Sequence, residues 1–343
     1  MGKEILIMRL SAMGDVAMTI PVIASFVIAH PEVHVTMLST PKLEPLFQNI
    51  PNLSFMPVDT KGKYKGILGM FKLFRDLRKK QNFDMMIDLH DVLRSKILRT
   101  LFRLSGKSVF VIDKGRDEKK RLTQGTLNEQ LKTSIERYQE TIEEAGFSFR
   151  LKKENFLPQE KLPLTEEAQR MVSGKGSTQW IGIAPFAQHD GKIYPIEKCE
   201  EVVKHFSNME NVQILLFGGG EKEKRILDEW AARYPNTLSL VNRFKLTDEI
   251  GLIQNCAVLL SMDSANRHLA SIVQTPVVSV WGATHPHAGF YGYGQKIEDA
   301  VQLEMECRPC SIFGNKPCKW EDFRCMNQIR SEMIISKIEK YIH

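Results

Sequence analysis

The sequence lacks any apolar run long enough to cross a membrane. Its longest, Val16 to Ala29, contains Pro21 and falls short of the roughly 20 residues that a spanning helix needs. The same run makes a poor secretory signal, because a strand-like segment ending in Gly14-Asp15 precedes it. Ile5-Leu6 does not supply the hydroxyl residue of a myristoylation motif, so the expectation is a cytoplasmic protein. Gly-x-Gly-x-x-Gly is missing after the first predicted strand, which argues against a dehydrogenase. Neither Asp-x-Asp nor His-Glu-x-x-His occurs, so nothing points to a catalytic metal. Net charge is small as well: the formal excess is +6 with a pI near 8.9. That is too small to argue for nucleic acid, but it suits an anionic ligand or surface.

What is present is an alternation of strands and helices. At 343 residues, 43% hydrophobic and 26% charged, the chain is globular and long for a single core. Glu4 to Leu10 reads as a buried strand, Ser11 to Asp15 as a tight loop, and Val16 to Ile28 as a helix that Pro21 opens or kinks. His34 to Thr40, Leu53 to Val58, Phe83 to Leu89 and Ser108 to Ile112 repeat the strand pattern. Helices are expected near 43 to 49, 66 to 81 and 92 to 104, then a long one over Thr126 to Gly146. After a linker at Lys152 to Pro163 the alternation resumes, with strands at Gln179 to Pro185, Val212 to Phe217, Leu238 to Val241, Ala257 to Met262 and Val277 to Trp281. Such alternation implies parallel sheets. The expected architecture is therefore two Rossmann-like α/β domains facing one another across a cleft, residues 1–162 and 163–328.

The densest polar stretch is Asp263-Ser264-Ala265-Asn266-Arg267-His268, which follows a strand and opens a helix. Asp263 or Ser264 can cap that helix, and the N–H groups of its first turn favour an anion. His268 falls a little over one turn along. Gly282-Ala283-Thr284 forms a second small-residue tip nearby. Gly218-Gly219-Gly220-Glu221 ends another strand, where the backbone can approach a ligand and Glu221 can bind sugar or ribose hydroxyls; a plain turn with an acidic first helical turn explains it equally. Asp15, at the end of the first strand, is either a helix cap or catalytic. Lysines and arginines are frequent in the first half. Most read as solvated helix faces, with the helix start at Arg94 and the loop Lys114 to Arg121, including Lys119, as places to hold an acidic partner.

Cys307, Cys310, Cys318 and Cys325 are spaced C-x2-C-x7-C-x6-C. The pattern allows a structural zinc, and free or redox-labile thiols are the alternative. A zinc-stabilised nucleic-acid-binding module is a competing reading, weakened by the absence of a basic-aromatic stacking platform.

Several separated stretches resemble the ADP-heptose:lipopolysaccharide heptosyltransferases, glycosyltransferase family 9, of GT-B fold. They are Ile5 to Val16 with Thr19 and Pro21; the loop around Lys192 and Pro195; Gly218 to Glu221; and Asp263-Ser264 with His268, Leu269, Ala270, Thr275 to Val278 and Gly282. The resemblance implies an inverting, metal-independent transfer of heptose from a nucleotide diphosphate, ADP-heptose, to a lipopolysaccharide inner-core acceptor. It makes Asp15 the general base and Lys192 a donor contact. Glu221, or Glu223 in the same turn, would bind the ribose, and Asp263, Ser264, Ala265, His268, Gly282 and Thr284 would hold the rest of the donor. Ser11, Arg94 and Lys119 are the acceptor-side candidates. The resemblance further implies that Ile329 to Tyr341 packs back on the first domain and that the enzyme works peripherally at the inner face of the cytoplasmic membrane. A GT-B transferase with another nucleotide sugar and a non-lipid acceptor is the alternative.

Overall fold

Runs of Val, Ile, Leu and Met without a polar face suit strands covered on both sides. In the computed structural model, which describes residues 2–153 and 163–342, such runs build a five-stranded and a six-stranded sheet. The first contains β1 (Lys3–Met8), β2 (Val33–Ser39), β3 (Leu53–Pro57), β4 (Met85–Asp88) and β5 (Ser108–Val111), in the order β3-β2-β1-β4-β5. The second contains β6 (Gln179–Ala184), β7 (Val212–Leu216), β8 (Thr237–Ser239), β9 (Val258–Met262), β10 (Val277–Val280) and β11 (Ala300–Val301), in the order β11-β10-β9-β6-β7-β8. Every strand pairing is parallel.

These orders decide where ligands can bind. In the first sheet the chain winds outward from β1 through β2 to β3, then restarts on the other side with β4. In the second it winds from β6 to β8 and restarts with β9. The crevice beyond the carboxyl ends of the strands at such a reversal is the usual ligand position in an open α/β sheet. It falls beside Arg9 and Leu89 in one sheet, and beside Pro185 and Asp263 in the other.

The described residues form two compact units. One holds the chain through Lys114 and again from Thr133; the other holds Gly115–Lys132 and the chain from Pro163 onward. The first is packed around Leu6, Met8, Leu38, Leu73, Leu77 and Phe102. In the second, Leu122 and Leu131 pack with Ala288, which is why a segment from the first half of the sequence belongs there. A single boundary near residue 162 therefore does not describe the chain. The expected linker, Lys152 to Pro163, lies largely outside the described residues.

Other local expectations need correction. The helix expected from Thr126 starts at Ser134, where Thr133 and Glu136 form a reciprocal capping box. An earlier helix, Arg116–Thr123, occupies the expected loop and stops before Gly125, whose φ is +70°. Asp15 lies inside a short helix, Met13–Ala17, and Pro21 opens the next one, Ile20–Ala29. Among the described residues no helix is long and apolar enough to cross a membrane. The chain end also departs from expectation: Ile329, Ile334 and Ile338 are fully buried in the second unit's core with Val202 and Phe206. The helix Ser331–Ile338 thus buries its apolar stripe there, instead of returning to the first domain.

Candidate active site

In the second unit, β9 ends at Met262 and the helix Ala265–Ile272 begins three residues on. Neither expected cap is used. Asp263 points to cations instead, with Oδ2 at 3.0 Å from Lys192 Nζ and Oδ1 at 2.6 Å from an Arg267 nitrogen. The Ser264 hydroxyl pairs with Ser261 at 3.2 Å, so the first turn of the helix has no side-chain cap. Burial alone would raise the Asp263 pKa, but Lys192 and Arg267 outweigh it and hold the carboxyl down to about 2. Thr284 faces the same carboxylate without reaching full hydrogen-bond geometry.

His268 is buried, and Arg267 donates to its Nε2 at 3.2 Å. Burial and the Arg267 cation hold its pKa well below the ordinary histidine value, so the ring is neutral. With Nε2 accepting, the proton sits on Nδ1, a buried atom without a hydrogen-bond partner. Unpaired buried polar groups are uncommon and cost about 1–3 kcal/mol each. His268 Nδ1 and Thr284 Oγ1 therefore suit a bound partner.

Lys192 ends the short turn Asp190–Lys192. Its backbone neighbour Gly191 accepts a hydrogen bond from Ala283 N at 2.9 Å. A side chain on Gly191 would meet Ala283 and Gly314, and one on Gly282 would meet Met326 and the Gly191 carbonyl. These glycines let the two loops touch, which sets Lys192 and Thr284 beside Asp263, at the end of the strand that leads into Ser264 and the helix carrying His268. Ala265 opens the helix. On the glycine loop, Glu223 turns inward and accepts from Gly219 N at 2.7 Å. Glu221 is exposed, with Asn242 donating to it at 3.4 Å.

In the first unit, Asp15 Oδ2 meets Arg9 at 2.7 Å and accepts from Ala12 N at 3.1 Å. Arg9 is buried; it donates to the Leu89 carbonyl at 2.7 Å and lies over the Tyr138 ring. Tyr138 in turn donates to the Asp15 carbonyl oxygen at 3.3 Å. His90 is next to them, its Nε2 3.5 Å from the Ser11 hydroxyl. Burial, with Arg9 and Lys114 close by, pushes the His90 pKa down to about 3. Arg94 is exposed in the first turn of the helix Leu93–Leu104 and adds to the positive field at His90. Lys119 belongs to the second unit, its Nζ over the Phe290 ring.

Sequence reasoning missed Arg9, His90, Tyr138 and Arg267 as site residues. Arg9 and Arg267 carried a readable signal, since each is a cation within six residues of a proposed site carboxylate. Arg267 is 1% exposed, stacks on Trp281 at 4.6 Å and donates to the Phe290 carbonyl. Among the described residues, no three His, Cys, Asp or Glu side chains form a group able to hold one metal ion.

Comparison with known proteins gives a consistent picture. A lipopolysaccharide heptosyltransferase 1 of Campylobacter coli is 24% identical, with 98% of each chain covered. The same fold occurs in the glycosyl transferase family 9 protein of Veillonella parvula DSM 2008, at a TM-score of 0.75 and 20% identity over 99% of this chain and 97% of that one. It occurs again in E. coli heptosyltransferase WaaC with ADP-2-deoxy-2-fluoro heptose, at a TM-score of 0.68 and 17% identity over 98% and 99%. The model of glycosyltransferase family 9 (heptosyltransferase) matches residues 70–319, which include Lys192 and Asp263 but not Asp15. With two parallel-sheet units of GT-B type and that match over most of its length, this chain belongs to glycosyltransferase family 9, the heptosyltransferases.

Proposed function

We propose that the protein is an inverting heptosyltransferase that takes heptose from ADP-heptose and attaches it to the inner core of lipopolysaccharide. One observation carries this reading: Lys192, held by Asp263, lies at a sheet reversal beside a helix start without a side-chain cap. When the sugar leaves its diphosphate, negative charge grows on the departing phosphate. A fixed ammonium and free N–H groups stabilise that charge without a metal ion. Asp263 repels phosphate and so acts through Lys192. The Nδ1–H of His268 and the Thr284 hydroxyl are left for the sugar or the diphosphate, and Glu221 or Glu223 for the ribose. Asp15, oriented by Arg9 and Ala12 N, takes the proton of the acceptor hydroxyl as its oxygen attacks the anomeric carbon. Attack opposite the departing ADP inverts that carbon. Ser11, Arg94 and Lys119 are assigned to the acceptor.

The relatives support the substrates: one is named for lipopolysaccharide, and one carries an ADP-heptose analogue. The test is incubation with ADP-heptose and a heptose-free lipopolysaccharide core, with other nucleotide sugars in parallel. Release of ADP and a mass gain of one heptose are expected. Transfer from a different nucleotide sugar alone would replace the donor.

A lipid acceptor calls for contact with a bilayer, and the helix Gly66–Lys80 offers a suitable face. Ile67, Leu68 and Phe71 are 59%, 83% and 49% exposed, with exposed Lys61, Lys65, Lys72 and Arg75 around them. Apolar side chains ringed by cations suit the interface of an anionic membrane, where each cation contributes about 1 kcal/mol. Co-sedimentation with anionic vesicles should be lost in Leu68→Asp. Equal pelleting of that variant would remove the helix from membrane binding.

A further inference from the structure

A guanidinium is rarely buried whole, yet Arg267 is among the largest fully buried side chains of the molecule. Its Nη1 donates to the Phe290 carbonyl at 2.7 Å, and its Nη2 donates both to Asp263 Oδ1 at 2.6 Å and to His268 Nε2 at 3.2 Å. The two hydrogens of that one nitrogen serve both acceptors. The central carbon of the guanidinium lies 4.6 Å from the centre of the Trp281 ring and 5.8 Å from that of Tyr291. These rings stack on each other and are themselves held, Trp281 Nε1 donating to Ser279 Oγ at 2.9 Å and Tyr291 Oη to the Lys296 carbonyl at 2.7 Å.

Stability alone does not account for this residue. Its Nε is buried without a hydrogen-bond partner, which is costly, and apolar side chains of similar volume often replace buried ion pairs without loss of stability. What the arginine supplies is a fixed state for the neighbouring histidine. Charge reaches the His268 ring from Arg267 on its own helix, from Asp263 at the end of β9 and from Lys192 on the turn Asp190–Lys192. Asp263 alone would draw a proton onto the imidazole. Arg267 opposes this twice, by pairing with the Asp263 oxygen and by donating to Nε2. An uncharged imidazole whose Nε2 accepts keeps its one proton on Nδ1, the atom left buried without a partner.

We propose that Arg267 is a positioning residue that fixes His268 as an uncharged Nδ1–H hydrogen-bond donor to the diphosphate of the nucleotide sugar. The inference rests on the reading of Lys192 and Asp263 as the donor-sugar pocket. It also accounts for the ring being kept neutral. Lys192 brings a positive charge to the departing phosphate, and Arg267 adds another close by. A further charge on His268 would tighten the grip on ADP before and after transfer alike, and binding that is equal in ground and transition states adds nothing to turnover. A neutral N–H still aims a hydrogen bond at the oxygen on which charge grows.

The experiment reads the imidazole nitrogens of the full chain, labelled with nitrogen-15 histidine. Nine histidines contribute, so the His268→Gln spectrum identifies the signals of interest. In the free, unaltered chain His268 Nε2 should resonate as a bare nitrogen and Nδ1 as a protonated one, unchanged from about pH 5 to pH 8. The Nδ1 signal should shift when ADP is added. An Nε2–H tautomer, or a ring that titrates near pH 6.5, overturns the proposal. In Arg267→Met the ring should titrate in that range, and turnover should fall about 10²-fold, the scale of one lost donor to a developing anion. A variant ring that stays an uncharged Nδ1–H donor throughout overturns the role of Arg267. If Arg267→Met does not fold, the spectrum of the unaltered chain decides. Failure of the unaltered chain to bind ADP in calorimetry would count against the donor pocket itself, while the tautomer of the free protein reports on Arg267 separately. An Nδ1 signal indifferent to bound ADP removes the diphosphate contact.

Discussion

Each unit sets a candidate-site carboxylate beside an arginine, and the two are held differently. Asp15 meets Arg9 with 26% of its side chain exposed, whereas Asp263 meets both Lys192 and Arg267 with 6% exposed. A group that takes a proton from a substrate must reach it, so one open side suits a base. A group that fixes two cations works best where water cannot compete, because charges attract more strongly in a less polar medium. The same side-chain chemistry is thus a reactive group in one unit and a fastening in the other.

The largest effect expected from breaking this contrast is at Asp263. Asp263→Asn strands the buried Arg267 and the half-buried Lys192, and removing one partner of a buried pair costs about 3–5 kcal/mol. The urea midpoint should drop sharply and ADP binding should be lost in titration calorimetry. A loss of stability no greater than that of Asp15→Asn would erase the distinction. Next is Asp15→Asn itself. Turnover should fall about 10²-fold or more, the scale of a general base, while ADP affinity and melting temperature stay close to those of the unaltered chain. Undiminished turnover would take Asp15 out of the chemistry.

The smallest effect sharpens the contrast through pH. Burial pushes His90 down to about 3 and His285 to about 4, and holds His268 well below its ordinary value. The unfolded chain protonates its histidines near pH 6.5, whereas the folded chain resists. Their contribution is therefore full above about pH 6.5 and declines as pH falls below it. Glu249 acts in the opposite sense, since burial and Asp248 raise its carboxyl to about 7. The stability it adds is present at low pH and lost as pH rises through 7. Three groups against one predict a lower urea midpoint at pH 5 than at pH 7. A midpoint that rises would mean that the histidines protonate within the fold.

Much of this was legible in the sequence. Parallel strands covered on both faces show as unbroken apolar runs, so β1 to β10 were expected within two residues of their positions. The two-residue β11 is too short for any period to register. Asp15 and the Asp263 to His268 stretch could be proposed because each follows a strand end, where open sheets bind ligands, whereas Lys192 entered only through the resemblance to the heptosyltransferases. What escaped depended on distant partners. His90 and Tyr138 approach Asp15 only through the fold, and nothing local marks Gly115–Lys132 as packing with Ala288. The caps expected at Asp263 and Ser264 failed because two cations and Ser261 compete for the same oxygens.

That exchanged segment governs how the protein can be taken apart. A cut in the stretch from Lys152 to Pro163 would yield a first piece carrying Leu122 and Leu131 without Ala288, and a second with a hole where they belong. Cleanly separated halves require moving residues 115–132 to the other fragment. Domain exchange among relatives has to respect the same discontinuous seam.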